Sequence, residues 1–195
     1  MGGWGFLLRL RNLWLARGVT VGLSKRLAWT GYTKEGRVIF LRPVPDQFPV
    51  SAVFGKWGPM WSKHMDKDGK WAPGQVNGKG QHKGVDFAVP IGTIVVAMAE
   101  GLVSMAGWEN YNNHNQGFGQ RVRQSIITPN GPQTLVYGHL SHIYIRPGDT
   151  IQKGDRVGLS GNTGHTSGPH LHVERVDSKG QYYALEFESH TPPTV

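Results

Sequence analysis

The sequence predicts a mainly β protein, and three observations carry that expectation. Twenty-eight glycines and 12 prolines among 195 residues disfavour a helix bundle and favour many short strands joined by tight turns. From Gly36 onward the chain falls into short apolar runs, β-branched or alternating, punctuated by glycine and proline. A hydrophobic fraction of 38% with only 17% charged residues lets a chain of this size bury about 70% of its unfolded surface. Wholesale disorder is excluded, and the length fits one domain with an appendage.

Taken in order, the elements begin with a basic arm. Trp4, Phe6, Leu7, Leu8, Leu10, Leu13, Trp14 and Leu15 are interrupted by Arg9, Arg11 and Arg17, which leaves no run able to span a bilayer. No uninterrupted apolar centre of about 7 to 15 residues with a small-residue cleavage site follows, so no secretory signal is expected. On a helical wheel the leucines and tryptophans fill a wide arc opposite Arg9, Asn12 and Ala16. That pattern predicts a short N-terminal helical arm lying on an anionic membrane surface or docked on a partner protein. A helix packed on its own domain, or a frayed terminus, satisfies it equally.

The boundary is placed at 42/43, giving an arm over 1–42 and a domain over 43–195. The apolar run Val38-Ile39-Phe40-Leu41 comes just before it. Val50–Phe54 reads as a strand. Residues 55–81, with Trp57, Trp61 and Trp71, form a loop whose length marks it as functional or mobile. Strands are then expected at Val85–Val89, Thr93–Ala99, Gly101–Ala106, Gln120–Ile127, Thr134–Leu140, His142–Ile145, Arg156–Leu159 and His170–Val176. Asn110–Gln116 reads as a loop and Asn130-Gly131 as a hairpin turn.

The net charge of +8 points to an acidic partner, but it is unevenly spread. Eight basic residues in 1–42 (Arg9, Arg11, Arg17, Lys25, Arg26, Lys34, Arg37, Arg42) face Glu35 alone, a net of +7, which leaves +1 for the other 153 residues. A nucleic-acid binder would carry basic and aromatic residues across its folded surface, so no nucleic-acid partner is expected. The lack of cysteine removes disulfides, thiolate metal sites and cysteine nucleophiles, so any metal must be held by histidine and carboxylate.

Three histidine clusters offer those ligands. In Gly168-Pro169-His170-Leu171-His172-Val173-Glu174 the apolar residues alternate, and on a strand His170 and His172 project from one face. In His82-Lys83-Gly84-Val85-Asp86 a spacing of four returns His82 and Asp86 to one face of an extended chain. Tyr137-Gly138-His139-Leu140 supplies a further imidazole. Two histidines and an aspartate make a typical set for a catalytic zinc, which keeps a fourth position open for water, and a surplus imidazole beside it can move a proton. Each motif alone is a common chance match; together they reinforce one another.

The segments HKGVDFAVPIGTIVVAMAEGLVSMAGW, LVYGHLS, IRPGDTIQKGDRVGLSGNTG and TSGPHLHVE resemble, in order and spacing, the lysostaphin-type zinc metallo-endopeptidases, which cleave peptide bonds in bacterial peptidoglycan. The resemblance covers about residues 50–176. It implies a compact, twisted antiparallel β-sheet, one zinc bound by His82, Asp86 and His172, and catalytic roles for His139 and His170.

Weaker expectations attach to other residues. Tyr137 packs beneath the site more often than it bonds a transition state, and Glu174 orients an imidazole or makes a surface ion pair. His64, His114, His142, His165 and His190 read as surface or loop histidines, with His114 and His165 as candidates to line the groove. The 55–81 and 110–116 loops are candidates for substrate specificity. A non-catalytic scaffold on the same fold has no need of five complete site positions, and a biotinyl-lipoyl carrier has no modifiable lysine at a hairpin tip. Action on the wall without a signal favours delivery in a phage virion, with an atypically secreted or membrane-anchored bacterial protein as the alternative.

Overall fold

The computed structural model describes residues 38–55 and 82–190. The expected helical arm, His64 and the three loop tryptophans lie outside these residues. Among the described residues there is no helix, and none long and apolar enough to cross a membrane.

Eleven strands follow in chain order: β1 (Ile39–Leu41), β2 (Val50–Ala52), β3 (Gly84–Phe87), β4 (Ile94–Val96), β5 (Gly101–Trp108), β6 (Gln120–Thr128), β7 (Gly131–Ile143), β8 (Thr150–Ile151), β9 (Arg156–Ser160), β10 (Leu171–Asp177) and β11 (Glu186–Glu188). Nine of them form an antiparallel sheet in the order β2-β3-β10-β7-β6-β5-β8, with β9 pairing with β7 and with β4. β1 and β11 make a separate parallel pair. The expectation of a mostly antiparallel β domain holds.

Alternation places the core. Along β6, Val122, Gln124, Ile126 and Thr128 are buried while their neighbours are more exposed, which is the period-two pattern of a strand with one covered face. Phe87, Val95, Met98, Val103, Leu135, Tyr137, Leu140, Leu171 and Val173 complete this core. Residues 38–42, on the arm side of the expected boundary, are built into the folded domain. Phe40 is fully buried, Leu41 N–H donates to Met98 O at 3.0 Å, and Phe187 of β11 meets Phe87 edge-on at 5.4 Å. Buried Arg175 joins the two sheets, its guanidinium lying 5.3 Å from the Phe40 ring and 5.2 Å from Tyr183.

Two expected runs, Thr134–Leu140 and His142–Ile145, form one strand. β7 stays continuous because it changes partner along its length: β10 pairs with it as far as Gly138, and β9 from Leu140 onward. The residue at the changeover is His139, whose φ of 59° is the only positive value at a non-glycine residue among those described. Such a conformation persists only where the surroundings hold it. Here the segment just before β6 does so from the other side, through the His139 N–H donated to Phe118 O at 2.8 Å. The short strands β8 and β11 were not expected, because two- and three-residue segments carry no period.

Tyr137 lies wholly within the core. Its hydroxyl accepts the Met98 N–H at 2.8 Å and donates to Gln124 Oε1 at 2.7 Å, and Gln124 Nε2 donates to Ala99 O at 2.6 Å. Tyr137→Phe strands two buried polar groups, so the stability to unfolding falls by about 1–3 kcal/mol. The change is read as a lower urea midpoint; an unaltered midpoint would show that the relay contributes nothing.

Candidate active site

The site is assembled on β3, β10 and β7. On β10, residues of even number point to one face, and His170, the residue just before the strand, continues the line of His172 and Glu174. The register pairs His172 with Asp86 of β3 on one side and with Gly138 of β7 on the other. His82 lies two residues before β3 and is tied to the end of β2, its backbone carbonyl accepting the Gly55 N–H at 2.8 Å. The His172 ring occupies space left by Gly84: a Cβ at that position would come within 2.8 Å of the imidazole and 2.1 Å of Val173 O.

Three ligand atoms converge here. His172 Nδ1 is 2.6 Å from Asp86 Oδ1 and 3.1 Å from His82 Nε2, and His82 Nε2 is 3.3 Å from the same carboxylate oxygen. All three side chains are buried, and the three residues form a group able to hold a metal ion. The outward nitrogens are anchored. His82 Nδ1 donates to Val53 O at 3.3 Å and His172 Nε2 to Glu174 Oε1 at 3.1 Å, which directs the opposite nitrogen of each ring inward, as metal-binding histidines require. Asp86 Oδ2 is buried without a hydrogen-bond partner. An orphaned carboxylate oxygen beside two inward imidazole nitrogens is a donor set that suits a divalent cation such as zinc.

The electrostatics agree. Burial opposes the charge on Asp86, but hydrogen bonds from His172 and His82 hold its carboxyl well below the usual carboxylate range. Burial likewise opposes a charge on His172, and its bonds to Asp86 and Glu174 overcome that, pushing it up to about 9. The buried carboxylates thus favour a positive charge at the centre of the cluster, whether carried by a proton or by a metal that displaces it.

Beside the cluster stand the other two histidines. His139 and His170 have ring centroids 4.5 Å apart, and His170 Nε2 is 3.9 Å from Asp86 Oδ1. Each donates its Nδ1–H to a backbone carbonyl of the loop between β9 and β10: His139 to Thr163 O at 2.7 Å, His170 to Gly168 O at 2.8 Å. Nε2 of each ring is left as the proton acceptor. Burial, reinforced by the neighbouring His170, pushes His139 down to about 3, so its imidazole is neutral.

All five residues singled out in the sequence come together. Glu174 is buried on His172 and is not the surface ion pair weighed for it. Tyr137 belongs to the core. His142 packs against Tyr144, and His190 Nδ1 donates to Arg42 O at 2.9 Å. Three contributors were missed. Phe118 lays its ring 5.4 Å from His172 and 6.1 Å from His139, and its only signal was an aromatic set between two glycines. Thr163 and Gly168 act through backbone carbonyls, which leave no mark in sequence.

A buried His-Asp-His cluster beside two further histidine rings in contact with each other, on a mostly antiparallel sheet, is the arrangement of a metallopeptidase. The chain belongs to peptidase family M23, whose pattern matches residues 80–184. Lysostaphin of Staphylococcus simulans is 40% identical over 101 residues, which is 52% of this chain and 19% of that protein. The peptidoglycan DD-endopeptidase ShyA of Vibrio cholerae is 41% identical over 95 residues, 49% of this chain and 20% of that one. The chain therefore spans about a fifth of the length of these relatives. Its fold is similar to the catalytic domain of lysostaphin, with a TM-score of 0.54 and 30% identity over 71% of this chain and 90% of that structure. It is similar also to the prophage-encoded M23 protein EnpA of Enterococcus faecalis, in a variant of its catalytic domain, with a TM-score of 0.53 and 27% identity over 74% and 94%.

Glu174→Ala frees the His172 ring to turn and lowers metal affinity by about 10–100-fold. Competition with a chromophoric chelator measures this, and unaltered affinity would show that the carboxylate does not orient the ligand.

Proposed function

We propose that this protein is a zinc-dependent endopeptidase that hydrolyses peptide bonds in bacterial peptidoglycan. His82, Asp86 and His172 hold the zinc, and His139 and His170 carry out the proton transfers. The observation that carries the reading is the convergence of one atom each from His82, Asp86 and His172, with a second Asp86 oxygen buried and unpartnered and the rings of His139 and His170 beside them. The names of lysostaphin's structural domain and of ShyA, a peptidase and a peptidoglycan endopeptidase, support the substrate class.

When bound, zinc supplies the Lewis acidity that polarises the scissile carbonyl and makes water nucleophilic near neutral pH. The protein's own groups do the rest. His139 and His170, fixed by Thr163 and Gly168, present Nε2 as the atom that takes the attacking water's proton and later returns one to the leaving amine. Once protonated, an imidazolium there stabilises negative charge developing on the substrate. Because the two rings are in contact, a charge on one disfavours a charge on the other, so the pair works with one proton at a time. Phe118 closes the apolar side and limits water around the reacting groups.

The finer part of the proposal is delivery by a phage virion, with the basic amphipathic arm docking on virion proteins or on an anionic membrane. The similarity to a prophage-encoded M23 protein supports it.

Three outcomes are expected. His139→Ala and His170→Ala each lower the release of soluble fragments from purified peptidoglycan by at least about a hundredfold, while metal analysis finds close to one zinc per chain. A chelator abolishes release by the unaltered protein and added zinc restores it; loss of zinc from either variant would overturn the ligand assignment. For delivery, the protein is expected in purified phage particles by mass spectrometry. Its confinement to the lysate would count against a virion role.

A further inference from the structure

The loop between β5 and β6 carries features that the metal cluster does not use. It borders a cavity of about 430 Å³ lined by Glu109, Asn110, Tyr111, Asn112, Gln116 and Gly117. The walls of this cavity are braced. Glu109 Oε1 accepts from the Arg121 guanidinium at 2.9 Å and Oε2 from the Phe118 N–H at 2.5 Å, so its charge is committed. Trp108 and His114 stack with centroids 3.6 Å apart and planes within 4°, and His114 O accepts the Gly164 N–H at 3.0 Å.

Tyr111 is 71% exposed, yet it is seated. Its hydroxyl lies over the backbone of Gly107, where a Cβ would stand 2.6 Å from that oxygen, and Gly107 has a φ of 142°. That backbone angle favours glycine. The ring lies beside the Gly107 backbone with most of its surface open to solvent, in a cavity lined by side-chain amides. Asn110 Nδ2 donates to Gln116 Oε1 at 2.7 Å, and Asn110 Oδ1 accepts the Asn112 N–H at 2.9 Å. The Asn112 amide and Gln116 Nε2 have no hydrogen-bond partner among the described residues.

An exposed aromatic face, amide donors and acceptors, and a carboxylate already paired with arginine match the chemistry of an N-acetylated sugar. Its C–H face stacks on a ring, and its hydroxyl and acetamido groups exchange hydrogen bonds with amides. We propose that this cavity is a subsite for an N-acetylhexosamine of the glycan strand, a proposal that rests on the peptidoglycan reading above. Gly117 of the cavity adjoins Phe118, whose ring lines the catalytic cluster.

The test titrates the full chain with the tetramer of N-acetylglucosamine by calorimetry. Binding is expected, weakened about tenfold or more in Tyr111→Ala and unaltered in Tyr144→Ala, which removes another exposed tyrosine. Tyr111→Ala is also expected to lower the ratio of kcat/KM on intact peptidoglycan to kcat/KM on a glycan-free cross-linked peptide by a similar factor, through KM. Absence of binding to the tetramer, or equal weakening by Tyr144→Ala, overturns the proposal. So does an equal loss on both substrates, which assigns the cavity to the peptide. If the unaltered protein cleaves neither substrate, the peptidase reading fails, and the calorimetry alone still decides the subsite.

Discussion

The cross-strand contact between His172 of β10 and Asp86 of β3 is the constraint on which the site depends. The two residues face one another across an antiparallel pair, and the 2.6 Å bond between them is buried. A one-residue slip of either strand would turn one partner to the opposite face, so the register of the sheet and the integrity of the cluster are a single requirement. Glycines make room for it: Gly84 frees the volume of the imidazole, and Gly138 frees the place that Phe118 fills. The charge is balanced by neighbours on both sides, Asp86 and Glu174, so that the desolvation of buried ionisable groups is offset by hydrogen bonds made within the sheet.

The second half of the site arises from a change of strand partners. β7 leaves β10 and takes up β9 at His139, and the strained backbone there is held by Phe118 on one side and by the following β9 ladder on the other. The divergence of β9 and β10 opens the space in which the loop between them lies. That loop returns two carbonyls, one to each of His139 and His170. Asp86 and His172, two of the three proposed metal ligands, therefore sit where the strands are regular, and the pair proposed to handle protons sits where the regularity ends. Rigid pairing suits ligands that must keep one distance from an ion, whereas a partner change lets two side chains from different strands meet in one cleft.

Much of this was legible in the residues. Alternation around His170-Leu171-His172 placed both imidazoles on one strand face, and the histidine and aspartate content in a chain without cysteine narrowed the metal ligands. Chain punctuation by glycine and proline located most strands to within a few residues. What remained hidden was of two kinds. Short or composite elements were missed or divided: β8 and β11 are too brief to show a period, and β7 reads as two runs because polar Ser141 separates them, at the register shift between Leu140 and His142. Contributions made by backbone, such as Thr163 O and Gly168 O, have no residue signature at all.

The sequence by itself determined the fold class, the set of five chemically competent residues and the concentration of positive charge in residues 1–42. These follow from residue type and local spacing, which act over a few residues. Only the tertiary structure decided that Glu174 faces His172 in the interior, that Tyr137 belongs to the core, that residues 38–42 pack into the domain, and that Phe118 walls the site. Each of those depends on contacts between segments far apart in the chain, which arise from register and from the space left by glycines, and no local pattern encodes them.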